Sequence, residues 1–207
     1  AIALKPDSAE AHRNLGAMLT LLGRIKEAEA SLRRAIALKS DFTEAWHNLL
    51  FLLNYDARLG AAELYREYEA YGAIVRKDIT QDFDHGKHSP SSGRRIRVGY
   101  SSPDFRNSPC RFFMEPMYRH HDRAQFELFA YSNTKNPDYH TWRLKSYFDQ
   151  WVDVTELSDE AMAERVYDDG IDIFVDMAGH TMGNRLEVFA MRPAPIQLGS
   201  PIGYGYT

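Results

Sequence analysis

"AIALKPDSAEA" (residues 1–11) and "AIALKSDFTEA" (35–45) share eight of eleven letters, in register, 34 positions apart. A fixed period of that length marks a repeat array, in which each unit is one supersecondary element that buries its apolar face only against its neighbours. The first third of the chain is therefore expected to be stacked helices.

Counting from Ala9 gives the slots of the unit. His12 falls at the tryptophan position and Leu15 and Gly16 at the leucine–glycine position of the 34-residue pattern; Leu19, Ala28, Leu32 and Ala35 fill later small or bulky positions. The next unit starts at Thr43, with Trp46 and Leu49 at the corresponding places. Small residues let two helices approach and large ones fill the space between them. Gly23 is expected to separate the two helices of the first unit. Residues 1–55 thus resemble tetratricopeptide repeats.

The period fails after Asn54. "AAELYREYEAYGAIV" (61–75) reads as a longer capping helix, with Leu64, Tyr65, Tyr68 and Tyr71 at helical spacing and expected in the core. "KDITQDFDHGKHSPSSGRR" (77–95) is polar, aperiodic and rich in turn residues, so it reads as a linker. Its Asp82-Phe83-Asp84 run has the form of a metal-holding pair, but a solvated linker is the better reading.

From Ile96 the pattern changes. "IRVGYSS", "FELFAYS", "WVDVTEL" and "IDIFVDMAG" read as strands, with helix-like stretches near 109–121, 139–149 and 158–168 between them. Strand–helix alternation implies a parallel sheet covered by helices. The fold class is thus α + α/β: helical repeats over 1–76, a linker over 77–95, and a Rossmann-like lobe over 96–207.

In such sheets the ligand crevice lies beyond the carboxyl ends of the strands. Two loops fall there. "SSPDFRNSPCRFF" (101–113) follows the first strand, and its Ser108-Pro109 pair has the chemistry of a helix N-cap and first helical residue. "AGHTMGNR" (178–185) follows the fourth strand, with His180 between Gly179 and Gly183. Glycines admit close backbone approach to a ligand. Asn184 reads as the cap of the next helix. His120 and His121 are adjacent, point apart on a helix, and read as complements to its C-terminal dipole rather than as a metal pair.

The bulk composition narrows the classes. The 207 residues carry a formal net charge of −4 and are 44% apolar. That mild acidity gives no general attraction for nucleic acid or an anionic membrane. No apolar run approaches the roughly 20 residues of a spanning helix. One cysteine, Cys110, excludes an internal disulfide framework and suits the cytoplasm. The chain opens inside a periodic pattern, so it is expected to be a piece of a longer protein.

The repeat together with "RVGYSSPDFRNSP" (97–109), "DDGIDIFVDMAGHTMGNR" (168–185), "FAMRPAPIQ" (189–197) and "GYGYT" (203–207) resembles the O-linked N-acetylglucosamine transferase and SPINDLY family, in its bacterial members. The resemblance implies a tetratricopeptide superhelix joined to two Rossmann-like lobes of a GT-B glycosyltransferase that needs no metal or other cofactor. It implies a nucleotide-sugar donor, UDP-N-acetylglucosamine or GDP-fucose, and protein or peptide acceptors modified on Ser or Thr. It also implies an asparagine ladder that holds acceptor chains along the repeat groove, and Asn14 and Asn48 stand 34 residues apart. Loop 178–185 is then expected to line the acceptor or sugar side, with Gly179 and Thr181 on the acceptor and His180 as a polar contact.

Two departures qualify this. The family's first-strand loop carries a histidine, a favoured general-base candidate, where this chain has Ser108. A hydroxyl that does not titrate near neutrality cannot replace an imidazole. Asp104, His180 or the donor's phosphate must then take the proton, and Asp104, Ser108 and His180 are the candidate catalytic positions. "QLGSPIGYGYT" (197–207) also lacks the Trp-Leu-Gly-Tyr-like run of the family. The chain ends before a second lobe, so by itself it is expected to be inactive. The rival readings are a repeat scaffold with a decayed transferase lobe and a protein with an unrelated nucleotide ligand.

Overall fold

The computed structural model describes residues 5–77, 79–81, 83–88 and 93–199, so "GYGYT", Ala1–Leu4 and Asp82 lie outside the described residues. It divides into two compact units, a helical one up to residue 77 and a sheet unit from residue 79.

The helical unit holds α1 (Ala9–Leu21), α2 (Ile25–Leu38), α3 (Thr43–Leu53) and α4 (Ala61–Arg76). The Ser8 hydroxyl accepts from Ala11 N–H at 3.2 Å and starts α1. A Cβ added to Gly16 would lie 2.5 Å from Leu32 Cγ, so glycine sets the closeness of α1 and α2. Ala28, Leu32 and Ala35 face inward with no exposed surface, as do Leu49, Leu50 and Leu52 of α3. On α4, Tyr68 and Tyr71 are buried, but Tyr65 is 47% exposed and does not join them. The i, i+3 step to Tyr68 and the six-residue step to Tyr71 leave Tyr65 at the margin of the covered stripe.

The second unit is a five-stranded sheet in the order β3-β2-β1-β4-β5, with every adjacent pair parallel. Its strands are β1 (Ile96–Ser102), β2 (Phe126–Ser132), β3 (Gln150–Asp153), β4 (Ile173–Asp176) and β5 (Ile196–Leu198). Between them run α5 (Arg111–His120), α6 (Tyr139–Lys145), α7 (Asp159–Asp168) and α8 (Leu186–Ala190). One face packs Val98, Tyr100, Leu128 and Ala130 against Met114 and Tyr118 of α5 and Leu144 of α6. The other packs Phe129, Tyr131 and Phe174 against Met162 and Val166 of α7 and Val188 of α8.

Several local expectations change. β3 ends at Asp153, where Asp153 Oδ1 accepts from Thr155 N–H and Thr155 Oγ1–H and turns the chain. β5 is not among the strands expected from the sequence; it follows prolines at 193 and 195 and, among the described residues, pairs on one side only, where proline is tolerated. The segment read as a solvated linker carries Phe83, whose ring lies 4.8 Å from that of Tyr167, while the Tyr167 hydroxyl donates to the Asp84 carbonyl at 2.9 Å. A 3₁₀ turn follows at His85–His88. His121 lies just past α5 and sits 2.7 Å from the Tyr100 hydroxyl, while His120 Nδ1–H donates to the Pro116 carbonyl at 2.8 Å. No helix among the described residues is long and apolar enough to cross a membrane.

Candidate functional site

The strand order reverses between β1 and β4: β1 connects through α5 to β2 on one side, and β4 lies on the other. The carboxyl ends of those two strands flank the crevice that such a reversal opens. The loops singled out in the sequence leave from those ends.

The β1 loop is anchored by Phe105, which is 1% exposed and packs in the core beneath it. Ser102 Oγ accepts from Asp104 N–H at 3.0 Å. Asn107 N–H donates to the Asp138 carboxylate at 2.8 Å, and the same carboxylate caps α6 through the N–H groups of His140 and Thr141. These backbone bonds, that from Asn107 foremost, hold the Asp138 carboxyl below its ordinary range. Ser108 is 8% exposed, and its hydroxyl donates to the Asp104 carbonyl at a long 3.4 Å. It is not the helix cap. The chain winds through i→i+3 bonds from Arg111 N–H to Ser108 O and from Phe112 N–H to Pro109 O, and α5 begins only at Arg111 with Cys110 before it. The Asp104 carboxylate stands 3.3 Å from the Arg106 guanidinium.

The β4 loop is closed by Asp176, 2% exposed, whose carboxylate accepts from Ala178 N–H at 3.0 Å and Gly179 N–H at 2.7 Å. Burial pushes its carboxyl up and the two amide bonds pull against that shift. His180 follows, 4% exposed. The Thr181 hydroxyl donates to the Ala178 carbonyl at 2.7 Å and is spent on the turn. Asn184 supports α8 as expected of a cap, its Oδ1 accepting from Leu186 N–H at 3.3 Å, although the residue at the cap position is Arg185. Arg185 crosses to α7, meeting Asp159 at 2.7 Å and donating to the Leu157 carbonyl at 2.7 Å. Burial raises the Asp159 carboxyl despite that guanidinium.

The two loops touch. A Cβ on Gly183, where φ is +83°, would lie 3.1 Å from Pro103 Cβ. Asn133, just past β2, donates from Nδ2 to the Gly183 carbonyl at 2.8 Å and from its backbone N–H to Ser102 O at 3.0 Å. Asp104, Ser108, Gly179, His180 and Thr181 therefore share one edge of the sheet. Asn14 and Asn48 belong to the helical unit, on α1 and α3; Asn14 is exposed and accepts from Arg13 at 2.8 Å, and Asn48 is half-buried. Beneath Asp104 and Cys110 a cavity of about 10 Å³ admits no more than one water. Among the described residues no three His, Cys, Asp or Glu side chains come together as a metal centre requires.

Asp176, Asn133 and Asp138 were not singled out in the sequence. An acidic residue ending an apolar strand three residues before a glycine is the signal that Asp176 offers. Asn133 and Asp138 give none until the strand order is known.

The model of glycosyl transferase family 41 matches residues 41–207. A probable UDP-N-acetylglucosamine–peptide N-acetylglucosaminyltransferase SEC of Arabidopsis thaliana is 31% identical over 180 residues, covering 83% of this chain and 18% of that protein. The UDP-N-acetylglucosamine–peptide N-acetylglucosaminyltransferase of Caenorhabditis elegans is 32% identical over 169 residues, or 78% of this chain and 14% of its own length. A solved mutant O-GlcNAc transferase of Thermobaculum terrenum superposes with a TM-score of 0.84 at 34% identity, covering 96% of this chain and 38% of that one. The chain thus spans less than a fifth of these curated relatives.

Proposed function

The chain belongs to glycosyl transferase family 41, and from that premise we propose that the full-length protein is a protein O-glycosyltransferase moving N-acetylglucosamine from UDP-N-acetylglucosamine to Ser or Thr hydroxyls. In that reaction the acceptor oxygen bonds to the anomeric carbon as the bond from that carbon to the phosphate oxygen breaks. The diphosphate leaves, and the hydroxyl proton must be accepted nearby.

The observation that carries this reading is the meeting of the β1 and β4 loops at the sheet's switch point, within the span that matches the family. Ser108 cannot be the base, so the proton passes to His180, Asp104 or the donor's own phosphate. Loop 178–185, with Gly179 and Thr181, lines the acceptor side of the crevice. Asn14 and Asn48 hold acceptor chain through amides that both donate and accept, which suits a peptide backbone of any sequence. No resident cofactor takes part, the partners are protein acceptors rather than nucleic acid or membrane, and the lone cysteine suits the cytoplasm.

The test offers the full-length protein UDP-N-acetylglucosamine and GDP-fucose in parallel, with candidate acceptor proteins, and reads sugar on Ser and Thr by mass spectrometry. Transfer from the first donor is expected. Transfer from GDP-fucose alone would make it a fucosyltransferase. Acceptor binding with neither donor consumed would favour the scaffold reading, for which the loss of an imidazole at Ser108 is the specific observation.

A further inference from the structure

We propose that Asn133 is a positioning residue that fixes loop 178–185, and with it His180, against the end of β1; this rests on the reading of that edge as the transfer site. Asn133 follows the last residue of β2 and is 7% exposed. Its backbone N–H is bonded to Ser102 O at 3.0 Å and its side-chain amide to Gly183 O at 2.8 Å. One residue thus ties the β1 exit to the β4 loop.

The rest of the loop is held at its ends and by bonds within itself, such as that of the Thr181 hydroxyl to the Ala178 carbonyl. The Asp176 carboxylate closes the turn through Ala178 and Gly179, and Arg185 is pinned to Asp159 and the Leu157 carbonyl. Between those anchors, Asn133 adds a bond to the β2 end at Gly183, three residues after His180. The contact calls for a neutral donor of this length. A carboxylate in its place would face the Gly183 carbonyl with no proton to give, and a serine would fall short. Pro103 packs where a Gly183 side chain would go: a Cβ there would lie 3.1 Å from Pro103 Cβ, tighter than ordinary van der Waals contact, so the loop lies against its neighbour with little slack. A displacement of about 1 Å at such an edge costs on the order of 10²-fold in rate.

The experiment uses the full-length protein with Asn133→Asp and Asn133→Ala, read by hydrogen exchange of the 178–185 peptide, by kcat and KM for UDP-N-acetylglucosamine, and by melting temperature. Faster exchange confined to that peptide is expected, with kcat down about 10- to 100-fold and donor KM nearly unchanged. In Asn133→Asp, kcat should recover as pH falls, because the protonated carboxyl regains a donor toward Gly183 O. Unchanged exchange overturns the proposal, as does faster exchange with unchanged kcat. Uniformly faster exchange across the strands, tracking a lower melting temperature, would show a general structural role and overturns it too. Exchange is read without turnover, so a parent protein inert toward sugar donors sinks the proposed function while leaving the tether itself measured.

Discussion

His12 and Trp46 make the same contact one repeat apart. His12 Nε2 lies 2.8 Å from the Pro6 carbonyl, and Trp46 Nε1 lies 3.0 Å from the Ser40 carbonyl. A carbonyl only accepts, so His12 carries its proton on Nε2, as the indole does on its only nitrogen. The repeat conserves a ring N–H at a fixed reach rather than a particular ring. Trp46→Phe should therefore keep most of the packing and cost about 1 kcal/mol for the lost bond. Trp46→Ala should cost about 3–5 kcal/mol. Urea titrations followed by far-UV circular dichroism give both; equal losses would mean that the N–H contributes nothing.

His47 makes the helical unit acid-sensitive. Its Nε2 sits 2.6 Å from the Tyr71 hydroxyl, and burial drives its pKa down to about 4, against a smaller upward pull from Glu44. A base depressed in the folded state binds fewer protons than it does unfolded. Stability is then complete above the unfolded value near 6.5 and falls as pH drops from there toward 4. The loss is on the order of 3 kcal/mol. His47→Gln should flatten the urea midpoint of the helical unit between pH 6.5 and 4. A parent protein already flat in that window would refute the buried-imidazole account.

Asp172 sets the start of the β1–β4 pairing. Its carboxylate takes both guanidinium nitrogens of Arg94, at 2.6 and 2.7 Å, and the Arg97 N–H at 2.8 Å. With Asp172 at 6% exposed and Arg94 partly open to water, Asp172→Asn should destabilise the sheet unit by about 2 kcal/mol. Thermal denaturation tests this, and a shift no larger than that of an exposed control such as Asp168→Asn would count against it.

What the sequence made legible follows from how information is spread along it. The α1 and α3 slots were readable because the array writes them twice, and β1 and β2 because short stretches rich in apolar residues, with apolar side chains on both faces, suit a buried parallel strand. The shared edge of the two loops followed from alternation alone. Tyr65 was misplaced because helical spacing gives a face but not its width. β5 was hidden by flanking prolines. Asn133 and Asp176 were invisible for another reason: a single polar residue acquires meaning only when strand order brings a distant backbone to it.

Ser108 is where local chemistry and fold part company. Ser-Pro reads as a cap followed by the first helical residue, yet the chain here winds through two i→i+3 bonds and α5 starts at Arg111. The Ser108 hydroxyl is left with a 3.4 Å bond to Asp104 O. Ser108→Ala should therefore cost less than the roughly 1 kcal/mol of a lost cap, and transfer should hardly change. Ser108→His is the sharper variant, because it restores the imidazole that the resemblance places there. The position is 8% exposed, so the larger ring must turn outward toward the crevice or disturb the packing around it. A modest rise in kcat with a new inflection near neutral pH is expected if the ring turns outward and takes the acceptor's proton. Rate–pH profiles of the two variants and the parent decide the matter. A Ser108→His protein that melts like the parent and gains neither rate nor inflection would show that this position never receives the proton, leaving His180, Asp104 and the donor phosphate to be separated by the same profiles.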